Sequence, residues 1–84
     1  MTTILFFGRV RDIAGRAELI CDLPVSIETI TDLRAWLSQT DPLLGEALRS
    51  PGVRVAVDQV FCISDGVTAR GAGEIAFMSP LSGG

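Results

Sequence analysis

The sequence has 84 residues, 48% of them hydrophobic, and this length gives room for one domain with a single core. Its formal net charge is −3, and its only basic residues are seven scattered arginines, which argues against a nucleic-acid partner. The absence of His and Lys excludes a Ser-His-Asp triad, a Schiff-base lysine and a Cys-His zinc site, and it disfavours catalysis by this chain alone.

Two strands are predicted at the start of the chain. Residues 2–10 (TTILFFGRV) are rich in β-branched and aromatic residues, which indicates a mostly buried strand. Residues 11–16 contain Gly15 and predict a turn or short irregular link. Residues 17–23 (AELICDL) predict a second strand, which Pro24 ends. Because the link is short, we expect the two strands to pair antiparallel.

The clearest helix signal follows these strands. Thr29 is the predicted N-cap, and Asp32 three residues later completes a variant of the capping box in which Asp replaces Glu or Gln. Ile30, Leu33 and Leu37 fall at i, i+3 and i+7, so they form one apolar face of a helix.

A second, shorter helix is predicted over residues 41–48, and the Ser-Pro-Gly sequence at 50–52 ends it. Residues 53–57 (VRVAV) alternate with period two and predict a strand with one polar side. A turn at residues 58–59 then leads into a short strand over residues 60–63.

The chain finishes with a loop at residues 64–73, a last strand at residues 74–78 (EIAFM) and a tail at residues 79–84 (SPLSGG). The order β-β-α-(α)-β-β-β predicts an α+β domain over residues 1–78, followed by a flexible tail. It is also the order expected of a β-grasp, in which a mixed sheet wraps around a helix.

The tail has the properties of a reactive chain end that enters another protein. Glycine lacks a Cβ, so Gly83 and Gly84 can enter a narrow channel and leave the terminal carbonyl open. Five or six extended residues reach about 17–20 Å, enough to enter another protein's active site. A terminal carboxylate is ionised at neutral pH and needs activation, most simply adenylation from ATP. This sequence has no phosphate-binding loop, so the activation must come from a partner enzyme.

Four segments carry a family resemblance: FFGRVRDIAG at residues 6–15, LPVSIETITDLRAWL at 23–37, RVAVDQ at 54–59 and GEIAFMSPLSGG at 73–84. In this order and spacing they resemble the small subunit of molybdopterin synthase, a MoaD-like sulfur carrier. The FFG-x-x-R opening and the Pro-x-Ser-Gly-Gly ending are the most specific pieces. The resemblance implies a ubiquitin-like β-grasp, with a mixed five-stranded sheet packed on one main helix plus a short second helix.

The resemblance also implies a mechanism. An E1-like activating enzyme uses ATP to adenylate Gly84, and a sulfurtransferase supplies the sulfur that turns it into a thiocarboxylate. The large subunit of molybdopterin synthase then takes this sulfur for cyclic pyranopterin monophosphate, in molybdenum cofactor biosynthesis. The chain itself is expected to bind no cofactor and no metal.

Two further groups of residues are assigned by position in the resemblance. The residues expected to thread into the partner's channel are Pro80, Leu81, Ser82 and Gly83. The residues expected to dock on the partner from the sheet face beside the tail are Phe7, Phe61 and Met78. Two departures from the family pattern stand out: Asp58 replaces the Asn of VNQ, and Ser79 replaces the first residue of a Pro-Pro pair.

The expected location is the cytoplasm. Cys21 and Cys62 lie in apolar, strand-like stretches and are expected to be buried, reduced thiols. The first ten residues lack the features of a secretory signal, and no stretch approaches the roughly 18 apolar residues of a membrane span.

Three alternatives stay open at the level of sequence. The chain could be a sulfur carrier for cysteine biosynthesis, since those carriers share the β-grasp and the Gly-Gly ending, or for thiamine biosynthesis, whose carriers are shorter and lack the FFG-x-x-R opening. It could be a ubiquitin-like modifier that is joined to lysines through Gly84. It could also be an interaction module whose tail is incidental.

Overall fold

The computed structural model describes residues 1–79. Along these residues the elements are β1 (Thr2–Phe7), α1 (Arg9–Ala14), β2 (Glu18–Cys21), α2 (Ile30–Thr40), α3 (Pro42–Leu48), β3 (Arg54–Val57), β4 (Val60–Phe61) and β5 (Glu74–Met78). None of these helices has the length and apolarity needed to cross a membrane.

The five strands form one mixed sheet in the order β2-β1-β5-β3-β4. At its centre β1 and β5 are parallel, and the other neighbouring pairs are antiparallel. A parallel pair requires a crossover, and here the intervening chain carries α2 and α3 across one face of the sheet. This is the predicted β-grasp.

The main helix α2 begins at the predicted capping box. The Thr29 hydroxyl accepts from the Asp32 amide at 3.2 Å, and the Asp32 carboxylate accepts from the amides of Glu28 and Thr29 at 3.0 and 3.1 Å. These amides lower the pKa of Asp32, because they stabilise its ionised form. Asp41 caps α3 in a similar way, accepting from the Leu44 amide at 3.2 Å.

The core lies between the helices and one face of the sheet. Its largest fully buried side chains are Phe6, Phe77, Ile4, Ile30, Leu33, Leu48, Ile75 and Val10. The rings of Phe6 and Phe77 lie 6.3 Å apart on adjacent central strands. Alternate residues of the same strands point to the opposite face, which we call the outer face.

The structure corrects the prediction for residues 8–16. β1 ends at Phe7 instead of residue 10, and the helix α1 (Arg9–Ala14) replaces the end of the predicted strand and most of the predicted link. Val10 is buried and Ala14 packs against the core, so one side of this six-residue helix contributes to the interior. Gly15 ends the helix in the left-handed conformation, with φ of 75°.

The hairpin between β3 and β4 turns at the predicted Asp58-Gln59 pair, where both residues have positive φ. The Asp58 carboxylate accepts from the amides of Gly73 and Glu74, each at 3.0 Å. Asp58 therefore fastens this turn to the start of β5. The short strand predicted over residues 60–63 ends earlier, at Phe61.

Both cysteines are free and only partly buried, so the prediction that they are buried is too strong. Burial still raises the pKa of the Cys21 thiol, with the carboxylate of Asp22 as a smaller cause. Cys21 lies on the edge strand β2, and Cys62 follows the opposite edge strand β4. Four strand spacings, about 19 Å, separate these edges, which excludes a disulfide between the two cysteines.

Candidate functional site

The candidate site begins where β5 ends. Met78 is the last residue of β5 and lies beside Phe7, the last residue of the parallel strand β1. The chain therefore leaves the sheet at the edge where β1 passes into α1. The predicted reactive and threading residues lie outside the described residues: Pro80, Leu81, Ser82, Gly83 and Gly84.

Ser79, the first residue of the predicted tail, is hydrogen-bonded to the β1–α1 junction. Its hydroxyl accepts from the amides of Arg9 at 2.7 Å and Val10 at 3.3 Å. The same hydroxyl and the Ser79 amide each lie 3.4 Å from the carbonyl of Phe7, to which they donate. We call these contacts the Ser79 cap, because the hydroxyl satisfies the first amides of α1 across 70 residues of sequence.

Gly8 makes this close approach possible. Its φ of 67° lies in the region that favours glycine, and it offers no side chain to cap α1. A Cβ at this position would lie 2.7 Å from the Ser79 hydroxyl oxygen and 3.0 Å from the Ser79 carbonyl oxygen. The Ser79 cap therefore depends on a glycine at position 8.

The three residues predicted to dock on a partner share the outer face. Phe7 pairs with Met78 in the register, and Phe61 pairs with Ala56. Directly paired residues of neighbouring strands point to the same face, which here is the face opposite the helices. Phe7 is 45% exposed, Phe61 is 55% exposed, and Met78 is partly buried.

Two small residues of the same face lie on the strands between Phe7 and Phe61. They are Ala56 and Ala76, which pair directly across β3 and β5 and are both buried. We call Phe7, Phe61 and Met78, with these two alanines, the outer patch. It begins beside Ser79, where the chain leaves β5, and crosses four strands, so a protein bound at this end of the sheet could also contact it.

Arg54 adds a positive charge to the outer patch. It pairs with Met78 in the register, and its guanidinium carbon lies 6.0 Å from the centre of the Phe61 ring. Sequence analysis did not single out Arg54, since its place beside Met78 depends on the pairing of β3 with β5. Ser79 entered the sequence analysis only as a departure from the Pro-Pro pair of the family. The one sequence signal for its role is Gly8 of the FFG motif, which indicates a close backbone approach at this position.

The groups at this junction are ones that bind and orient a chain. Among residues 1–79, no three His, Cys, Asp or Glu side chains are grouped to hold a metal ion. The contacts at the tail come from a hydroxyl, backbone amides and apolar side chains. Such groups can bind and orient a chain, whereas activating a carboxylate needs groups that another protein would supply.

Comparison with known proteins agrees with this arrangement. The crystal structure of SAMP1 from Haloferax volcanii matches with a TM-score of 0.79 and 19% identity, over 99% of this chain and 98% of that chain. A crystal structure of the Haloferax volcanii small archaeal modifier protein 1 matches with a TM-score of 0.76 and 16% identity, over 94% and 95% of the two chains. These likenesses show the fold.

Sequence comparison shows the family. No curated protein sequence matches the chain significantly. The model of the ThiS family, however, matches residues 4–84, which include the Gly-Gly ending. The chain therefore belongs to the ThiS family.

Proposed function

We propose that this chain is a sulfur carrier whose reactive group is the carboxylate of Gly84. The observation that carries the proposal is that β5, the last strand before residues 80–84, ends beside the exposed apolar side chain of Phe7. Family membership over residues 4–84 supports the same reading. Ubiquitin-like sulfur carriers in general work with an activating enzyme, so we include such a partner in the proposal.

The chemistry requires two steps on Gly84. A carboxylate oxygen attacks the α-phosphorus of ATP, which forms the acyl adenylate and releases pyrophosphate. A hydrosulfide equivalent from a sulfurtransferase then attacks the acyl carbon. A C–S bond forms, the C–O bond to the phosphate breaks, and AMP leaves with the electron pair. The product is a thiocarboxylate.

The chain contributes binding and no proton transfer to these steps. It has no His or Lys to act as a base, so the E1-like enzyme must supply the ATP site and its catalytic groups. In this proposal Phe7, Phe61 and Met78 dock on the partner, while residues 80–83 thread its channel. No cofactor is proposed to bind to this chain.

The proposed acceptor is cyclic pyranopterin monophosphate, held by the large subunit of molybdopterin synthase. Support comes from the FFG-x-x-R opening and the Pro-x-Ser-Gly-Gly ending, which resemble the small subunit of that enzyme. The proposed location of this pathway is the cytoplasm. Carriers for cysteine or thiamine biosynthesis share the first two steps and differ in the acceptor.

A second candidate is a protein modifier that forms an isopeptide bond through Gly84. The likeness to small archaeal modifier protein 1 favours it, because that protein is named for such a role. Here a lysine amine takes the place of sulfur in the attack on the acyl carbon. The two candidates need the same activated terminus, and they differ in the nucleophile.

Intact-mass analysis tests the proposal directly. The chain is produced with an E1-like enzyme, ATP and a sulfur source, and it should gain the mass of an oxygen-to-sulfur exchange at its end. A variant without Gly84 should stay folded and show no exchange. If the full chain forms neither an adenylate nor a thiocarboxylate with any E1-like enzyme tried, the carrier proposal fails.

A second experiment then separates the acceptors. The thiocarboxylated chain is incubated with the large subunit of molybdopterin synthase and the pterin precursor, and the dithiolene product is measured. Product formation supports the molybdenum cofactor pathway. Transfer to other acceptors would assign a different sulfur pathway, and adducts on lysines of other proteins would favour the modifier.

A further inference from the structure

We propose that Ser79 is a positioning residue that fixes the point and direction at which the tail leaves the sheet. This inference rests on the proposed function, because it gives Ser79 a role in delivering Gly84 to a partner. It concerns the described contacts of the Ser79 cap, which lie five residues before the reactive group.

The first step of the argument is the number of bonds that one side chain makes. The Ser79 hydroxyl accepts from Arg9 at 2.7 Å and Val10 at 3.3 Å and donates to the Phe7 carbonyl at 3.4 Å. A hydroxyl has one hydrogen and two lone pairs, so these three bonds use its full capacity. The side chain is therefore held on three sides by the backbone of residues 7–10.

The second step is the contribution of the backbone. Among residues 1–79, the backbone of Ser79 makes one hydrogen bond to β1, from its amide to the Phe7 carbonyl at 3.4 Å. This distance is long for an N–H···O bond, so the backbone alone holds Ser79 weakly. The hydroxyl supplies the stronger part of the attachment.

The third step is the shape of the opposing surface. Gly8 leaves the space that the Ser79 hydroxyl occupies, and its positive φ turns the amides of Arg9 and Val10 toward that hydroxyl. The junction therefore provides both the room and the donors. Val10 and Phe6 anchor this junction in the core, so the Ser79 cap is attached to a rigid base.

The consequence concerns the entropy of docking. A tail that enters a narrow channel must lose conformational freedom, and any freedom removed beforehand favours binding. Ordering the backbone of one residue changes an equilibrium constant by about 5- to 30-fold. The Ser79 cap should therefore lower the KM of the activating enzyme for this chain and leave kcat nearly unchanged.

The test compares Ser79→Ala with Ser79→Thr, which keeps the hydroxyl. The assay is ATP–pyrophosphate exchange with the E1-like enzyme that activates the wild-type chain. We expect Ser79→Ala to raise KM by about tenfold, to leave kcat within about twofold, and to be rescued by Ser79→Thr. Ser26→Ala is the matched control, because Ser26 is exposed in the turn before α2.

A second measurement needs no activating enzyme. In the full chain, the Ser79 amide should lose order in its ¹⁵N relaxation, and the Arg9 and Val10 amides should exchange faster, in Ser79→Ala but not in Ser79→Thr. An unchanged KM, or unchanged order at Ser79, would overturn the positioning role. Failure of the wild-type chain to support exchange would instead count against the proposed function, and the relaxation data would still decide the role of Ser79 in the fold.

Discussion

Replacing Gly8 with Ala tests the junction from the other side. The new Cβ would lie 2.7 Å from the Ser79 hydroxyl oxygen, and the backbone would keep a positive φ that alanine adopts poorly. With φ of 67° and ψ of −140°, Gly8 lies outside the left-handed helical region, so we assign about 1–3 kcal/mol to the backbone strain and about 1 kcal/mol to the displaced cap. The sum of about 2–4 kcal/mol does not exceed the roughly 4–13 kcal/mol expected for a chain of this length, so the variant should remain mostly folded.

Urea unfolding of Gly8→Ala, Ser79→Ala and the double variant measures this coupling. Both single changes weaken the same hydrogen bonds, so their effects should sum to more than the effect of the double variant, by about 1 kcal/mol. Gly15→Ala is the matched control, because Gly15 also has positive φ but a Cβ there meets no atom within 4 Å. It should cost about 1 kcal/mol and add independently to Ser79→Ala. Full additivity of Gly8→Ala with Ser79→Ala would refute the proposed contact.

Three further predictions concern other parts of the molecule. Phe61→Ser should weaken binding to the activating enzyme by about tenfold or more, measured by calorimetry, whereas Val60→Ser, on the opposite face of β4 and 69% exposed, should not. The folded-state pKa of Asp32 is lowered by two backbone amides, so its stabilising effect is present above the unfolded value of about 3.9 and is lost as pH falls through the folded value. Asp32→Asn should therefore show a flatter dependence of unfolding free energy on pH below about pH 4, and a slope equal to that of wild type would contradict this. In a Gly84 thioester of the free chain, Arg54→Lys should form a cyclised product one water lighter than the free acid, because residue 54 lies beside Met78. Arg70→Lys, near the start of β1 and therefore farther from the base of the tail, should form less, and equal yields from the two variants would show that position does not control the reaction.

The elements that sequence analysis predicted well are those whose signals are local. Helix α2 begins with the Thr29–Asp32 capping box and buries Ile30, Leu33 and Leu37, and all of these lie within nine residues. In such segments neighbouring residues determine the backbone conformation, so the pattern is sufficient to predict the element.

Helix α1 was missed because its stabilising contacts are distant in sequence. It has only six residues, and the side chain that caps its first amides belongs to Ser79. Short helices are unstable without such tertiary contacts, so a local pattern gives little warning of them. The spacing of Val10 and Ala14 before Gly15 is the one local signal that could have indicated a helix here.

The outer patch shows the same limit. Its residues come from β1, β3, β4 and β5, and Phe7 meets Met78 only because the parallel register pairs β1 with β5. Alternation along a strand predicts which face of the sheet a residue lies on, but it does not predict which strand lies beside it. The family resemblance supplied the grouping, and the register of the sheet then gave the physical reason for it.

In the proposed carrier, Gly8 and Ser79 would fix the start of the tail, while partner enzymes would supply the chemistry at its end. A reagent that is made in one enzyme and consumed in another must present the same end to two different sites. Its fold therefore gains most by fixing the start of the tail and leaving the chemistry to its partners. The Ser79 cap does this with backbone amides of a helix that already packs on the core, so the attachment needs no additional element. For the same reason, a substitution at Gly8 should impair delivery of Gly84 even though the two residues lie at opposite ends of the sequence.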